Sequence, residues 1–339
     1  MVICDSDGRV VSRSAGPLTN HWQIGIDNCA QRIVHMVHEA KHAAGIALDT
    51  PLDSLGLTLS GCEQASSDAE LAVRVKELDA HVSRSIYVAS DTVGSLATAS
   101  PHCGMVLISG TGTNGLLKSV DGETRGCGGW GHILGDEGGA YWIAKKGVKC
   151  VFDDMDGLHP APHPTRDIWD AVKEHFDIET PTDILPHAYT HFVKAKFAAL
   201  TQRIAELALK GDRMSQHLLT SAGCELGHHV AALCSKGLKV TSPLRVVCVG
   251  SVFKSWDLLK GGLLAVLKHR KVSTELEFVR LRVPSAVGAA WLGAQHANLQ
   301  MGRDDNALCD VFHVFRPMQL CHCDGEDRHA CGCQPQCFY

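Results

Sequence analysis

The sequence predicts an α/β fold in two halves. Short apolar runs of strand length alternate with stretches of helical period. Three of those runs, SIYVASD, VLISG and VVCVG, end in small polar loops, and 339 residues at 45% hydrophobic and 20% charged exceed what one core commonly holds. Each half therefore calls for a mixed, largely parallel sheet.

The elements follow in order. VICDSDGRVVSRSAG alternates apolar and polar residues around Asp7-Gly8, a hairpin signature. Ile26, Cys29, Ile33, Val34, Val37 and Ala40 recur at helical spacing over 26 to 44, SLGLTLSG reads as a buried strand, and 66 to 81 as a helix. SIYVASD is a strand ending in Asp91, followed by the helical VGSLATA, then by GMVLISG running into GTGTN, with NGLLKSV and its DG turn as a second hairpin arm. From 137 to about 235 the pattern is helical, broken at HPAPHP and near Pro181 and Pro186. LRVVCVGS returns to strand; a helix from Phe253 to Lys268, the strand LEFVRLRV and the small-residue helix SAVGAAWLGAQHA follow.

Composition removes several function classes. The formal charge is −5 without a Lys/Arg stripe, so a nucleic-acid partner has no phosphate-gripping surface. Apolar stretches are strand-sized or interrupted and the first residues lack the pattern of a signal peptide, which places the chain in the cytoplasm with no membrane partner. Of fifteen cysteines, nine lie singly before residue 250, several in apolar runs, and read as reduced core residues. The other six crowd the last 31 positions beside His322 and His329.

Chemistry concentrates in the loops beyond the strands' carboxyl ends, where open α/β sheets bind ligands. GTGTN places Gly110 and Gly112 where backbone N–H groups can approach an anion and offers the Thr111 and Thr113 hydroxyls as donors, without the lysine of a Walker A loop. Gly250 and Ser251 repeat this logic at a strand-to-helix junction. Asp91 has two readings that are compatible: a helix cap, with Thr92 and Ser95 nearby, and a general base for a hydroxyl nucleophile attacking phosphorus. In GCGGWGHILGDEGGAYWIA, Gly126, Gly128, Gly129 and Gly131 free the backbone to face a ligand and Trp130 offers a flat apolar face suited to a sugar. Asp136 and Glu137 are expected at the start of a helix over 137 to 152, as caps or as acceptors of paired hydroxyls. LTNHW adds Thr19, Asn20 and Trp22.

LTNHW, SDTVGS, SGTGTN, the 19-residue glycine/tryptophan block and CVGSVFKSW, in this order and spacing, resemble the motifs of vertebrate-type N-acetylglucosamine kinases of the actin-like sugar kinase superfamily, over about residues 2 to 297. The resemblance implies two ribonuclease-H-like domains closing over ATP·Mg2+ and the sugar, with phosphorylation of the 6-hydroxyl of N-acetyl-D-glucosamine. It assigns 1–101 to a small domain and 102–297 to a large one with a helical insertion. It makes Asp91 the general base, and Asn20, Trp22, Asp91, Gly129, Trp130, Gly131 and Asp136 sugar contacts. Thr111, Gly112 and Thr113 fall in the second phosphate loop, Gly250 and Ser251 in the adenosine turn, and the assembly is a cytosolic homodimer.

Two departures stand out. Members of that family open with a further strand and a glycine-rich first phosphate loop, whereas this chain starts at what reads as the next strand. Poor turnover, or a role through partner or sugar binding alone, is therefore one reading. Residues 298–339 leave the family pattern; their Cys-x-Cys pairs fit no standard zinc spacing, so a disordered tail is expected over a metal module. A kinase for N-acetylmannosamine or glucose and a dehydratase-activating ATPase of the same superfamily stay open as rivals.

Overall fold

The computed structural model describes residues 1–62 and 64–317. The opening hairpin forms as its Asp-Gly turn predicts: β1 (Val2–Cys4) pairs antiparallel with β2 (Val10–Arg13), with Gly8 at φ +82°. After the one-turn α1 (His21–Ile24), the amphipathic α2 (Ile26–Ala43) buries Cys29, Ile33, Val34, Val37 and Ala40. β3 (Leu52–Leu59), α3 (Ala65–Leu78) and β4 (Ser83–Ser90) form a right-sized βαβ unit whose strands run parallel, Leu59 opposite Ser90. The strands of this half make two separate pairs, β1-β2 and β3-β4, with a cavity of about 550 Å³ between them. Met1, Ile3, Val37, Leu55, Ala290 and Ala294 are among the residues that line it.

α4 (Asp91–Ala99) leads into the second half: β5 (Gly104–Ser109), β6 (Thr113–Lys118), β7 (Thr124–Gly128), α5 (Gly131–Leu134), α6 (Ala140–Met155), α7 (Arg166–Phe176), α8 (Leu185–Ala188), α9 (Lys194–Leu209) and α10 (Arg213–Cys234). Then come β8 (Leu244–Val249), α11 (Trp256–His269), β9 (Leu276–Leu281), α12 (Ala286–His296), α13 (Asp305–Leu308) and β10 (Cys309–Phe315). The six-stranded sheet has the order β10-β9-β8-β5-β6-β7, parallel at β9-β8-β5 and antiparallel elsewhere. One face buries Met105, Leu107, Val246 and Phe278 under the helical layer; the other packs Val106, Val247 and Val279 against Leu96 and Ala99 of α4.

Two expectations change. Helix α12, assigned by sequence to 102–297, lies on β3 and α4 of the first half: a Cβ on Gly56 would stand 1.8 Å from the Ala289 carbonyl oxygen, and one on Gly288 2.3 Å from that of Gly94. Only glycine permits that approach, and the small-residue composition of the helix is the reason it crosses over. The expected disordered tail also begins too early at 298. β10 adds an antiparallel edge strand to β9, buries Phe315 and sets Phe312 edge-on to Trp256 at 5.0 Å. The expectations for Cys321 through Cys337 fall outside the described residues.

Candidate active site

The parallel pair β5-β8 places the two proposed phosphate segments together. Ile108 lies opposite Val249, so GTGTN and Gly250-Ser251 emerge side by side from the carboxyl ends. Gly250 sits at φ +112°, and a Cβ there would stand 2.1 Å from the Ser109 carbonyl oxygen, so this junction excludes side chains. Beyond it, Gly250, Phe253, Lys254, Arg280, Pro284 and Ser285 help line a cavity of about 340 Å³.

The GTGTN turn is held from beneath. The first N–H groups of α6, on Ala140 and Tyr141, donate to the carbonyls of Gly110 and Thr111 (2.8 and 3.1 Å), and Gly110 N–H donates to Gly112 O. Asp136 Oδ1 accepts from Thr113 N–H at 3.0 Å, while Oδ2 pairs with Lys194 Nζ at 2.8 Å. The N–H groups of Thr111 and Gly112, at the tip, have no protein partner among the described residues. They remain available to an anion. Thr111 is exposed; Thr113 is buried, and its hydroxyl has no hydrogen-bond partner. The two hydroxyls thus differ in environment, one open to solvent and the other buried and unpartnered.

Asp136 also departs from its expected place. α6 starts at Ala140, so Asp136 lies ahead of the helix in a left-handed backbone position (φ +68°), 4% exposed, and does not cap it. Its carboxylate lies under Gly112, 2.4 Å from where a Cβ would be. Gly128 ends β7 opposite Asn114 and Gly129 follows against the Asn114 side chain, so the glycine block sits at the same end of the sheet as GTGTN. Glu137 is partly buried there, Gly131 has open space, and Trp130 (73% exposed) stands out beside Ile133 and Leu134. His132 anchors α5 by stacking on Phe192 at 5.6 Å.

Asp91 and LTNHW gather at the carboxyl end of β3-β4. Asn20 caps α1, accepting from Trp22 N–H at 3.0 Å, and Trp22 Nε1 donates to Gly61 O at 2.9 Å, which ties this loop to the turn after β3. Ser90 ends β4 and holds the N-cap position, so Asp91 is the first helical residue rather than the cap. Burial pushes its carboxyl above the ordinary range, against the opposing pull of the Thr92 N–H and its own. Arg245 Nη1, at the start of β8, donates to the Ala99 carbonyl at the end of α4 (3.0 Å). The carboxyl end of α4 thus lies at the start of β8, while Asp91 opens the helix directly after β4.

Sequence reasoning missed Lys194, Lys254, Arg280 and His21. Lys194 opens α9 with no acidic residue in its first turn, and a cation opposing the helix dipole was the available signal. His21 is buried with Nε2 unpartnered and leaves no comparable mark in the sequence. Among the described residues no group of three or more His, Cys, Asp or Glu could hold a metal ion, and no helix is long and apolar enough to cross a membrane. Burial pushes the thiols of Cys29 and Cys234 up to about 11.

Known proteins share these features. The chain is 24% identical over 304 residues to an N-acetyl-D-glucosamine kinase of Dictyostelium discoideum, covering 86% of this chain and 92% of that one. It is 33% identical over 131 residues to an N-acetylmuramic acid/N-acetylglucosamine kinase of Clostridium acetobutylicum, covering 38% of this chain and 42% of that one, less than half its length. A Chromobacterium violaceum structure, described as a candidate N-acetylglucosamine kinase, superposes with a TM-score of 0.66 at 25% identity over 85% of this chain and 92% of that chain. The mixed sheet with glycine turns at its carboxyl ends is thus shared with sugar kinases, and since the family model spans residues 1–293, the chain belongs to the BadF/BadG/BcrA/BcrD ATPase family.

Proposed function

We propose that the protein transfers the γ-phosphoryl group of ATP to the 6-hydroxyl of N-acetyl-D-glucosamine. The observation that carries this reading is that GTGTN and Gly250-Ser251 emerge side by side from the carboxyl ends of β5 and β8, with Asp91 at the carboxyl end of β4. Asp91, its carboxyl raised by burial, accepts the hydroxyl proton as the sugar oxygen bonds to phosphorus and the bond to the bridging oxygen of ADP breaks. The free N–H groups of Thr111 and Gly112 receive phosphate oxygens, and the cavity beside Gly250 and Arg280 takes the nucleoside. Asn20, Trp22, Gly129, Trp130, Gly131 and Asp136 remain sugar contacts by resemblance. A magnesium ion carried by the nucleotide would supply neutralisation of the phosphate charge, held chiefly by the phosphates themselves. A cytoplasmic homodimer completes the reading on the same resemblance.

The cavity between β1 and β3 favours a second reading, a folded chain that binds sugar and turns over slowly. Incubation with ATP·Mg2+ and N-acetylglucosamine, N-acetylmannosamine, N-acetylmuramic acid or glucose, followed by ADP release and 31P NMR of the product, separates the possibilities. A 6-phosphate formed fastest from N-acetylglucosamine is expected. Absence of any sugar phosphate with intact binding would establish the second reading.

A further inference from the structure

We propose that Lys194, on the helical insertion, is a positioning residue for the nucleotide: it holds Asp136 under the GTGTN turn and so fixes the N–H groups that receive phosphate. This rests on the kinase reading above. Asp136 has one oxygen on Thr113 N–H and the other on Lys194, with side chains 6% and 26% exposed. Its carboxylate fills the volume a side chain at Gly112 would take, so it cannot shift without releasing the tip of the turn. The other supports of the turn hold its carbonyls, those of Gly110 and Thr111 from Ala140 and Tyr141, that of Gly112 from Gly110 and that of Thr113 from Gly129, whereas Asp136 takes up the Thr113 N–H. Lys194 supplies the second anchor of that carboxylate from a separate element, α9, at a helix end where its charge is otherwise unfavourable. A buried carboxylate that loses its cation rotates toward other donors or toward water, and the turn moves with it.

The resemblance gives Asp136 to the sugar; the geometry points to a nucleotide effect. The test measures ATP affinity by calorimetry and KM for both substrates in Lys194→Met, Lys194→Arg, Asp136→Ala and the Asp136→Ala/Lys194→Met double variant. Lys194→Met is expected to weaken ATP binding by about tenfold or more, with sugar KM changed by less than about twofold, and Lys194→Arg to recover most of the loss. The double variant should bind ATP no more weakly than Asp136→Ala, because Lys194 acts through that carboxylate. Unchanged ATP affinity in Lys194→Met, a rise in sugar KM instead, or multiplicative losses in the double variant would each overturn the proposal. Should Lys194→Met lose its circular dichroism spectrum, the arginine variant and Asp136→Ala carry the same comparison. ATP affinity is read without sugar, so a wild-type chain that phosphorylates no amino sugar defeats the kinase reading separately.

Discussion

At the residue scale, Asp91 carries the most direct test. Asp91→Asn is expected to lower kcat by at least about a hundredfold with little change in sugar affinity, since general-base assistance is commonly worth 10² to 10⁴. Because burial raises this carboxyl, the acid limb of kcat/KM should lie above about pH 4, the ordinary carboxylate value, and vanish in the asparagine variant. The folded state holds that proton more tightly than the unfolded chain does. The stability it contributes is present at low pH and lost as pH rises through the raised value, so Asp91→Asn should melt no lower than wild type at neutral pH. Gly250 tests the other side of the site. Gly250→Ala sets a Cβ against the Ser109 carbonyl at a φ alanine rarely adopts; a loss of about 2 kcal/mol or more in denaturant unfolding, with weakened ATP binding, is expected. Asp91 and Gly250 were legible in the sequence because each closes an apolar strand. The partners of Asp136 were not, since Thr113 and Lys194 lie 23 and 58 positions away and no local pattern joins them.

At the element scale, periodicity located the hairpin, α2 and the parallel strands, because local burial patterns set them. It missed β10. The segment CDVFHVF reads as the start of a polar, cysteine-rich region, yet in place it completes the sheet edge, with Arg280 4.4 Å from the Phe312 ring centroid. Removing residues 301–339 should therefore lower the melting temperature substantially, contrary to what a disordered tail would give, whereas removing 318–339 tests the cysteine-rich segment alone. Phe315→Ala should by itself cost about 3 kcal/mol, measured by denaturant unfolding, as for other buried phenylalanines. A melting temperature unchanged by the 301–339 deletion would show that β10 contributes little to the fold.

At the scale of the whole molecule, the first half is bound to the second chiefly through α12 and α4, and its own strands remain in two pairs. Among the described residues β1 and β3 each have one strand partner, and both face the same cavity of about 550 Å³. An extended segment there would complete both ladders and fill the space above Ala290 and Ala294. A form lengthened upstream of Met1 by a strand of alternating apolar residues is expected to melt several degrees higher and to protect β1 and β3 amides from hydrogen exchange. If that extension also carries a glycine-rich phosphate turn, turnover should rise at least about a hundredfold, since phosphoryl transfer depends on positioning and charge stabilisation. Equal melting and equal turnover at both lengths would show that the cavity is not a strand site.

The sequence by itself determined the α/β class, the glycine-rich turns at the strand ends and the kinship those turns announce, because glycine placement, strand ends and helical period are local properties of the chain. Only the tertiary structure decided which half receives α12, that Asp136 braces the GTGTN turn through Thr113 and Lys194, and that β10 closes the sheet. Each is a contact between segments far apart in sequence, set by the fit of shapes and charges that no local pattern encodes.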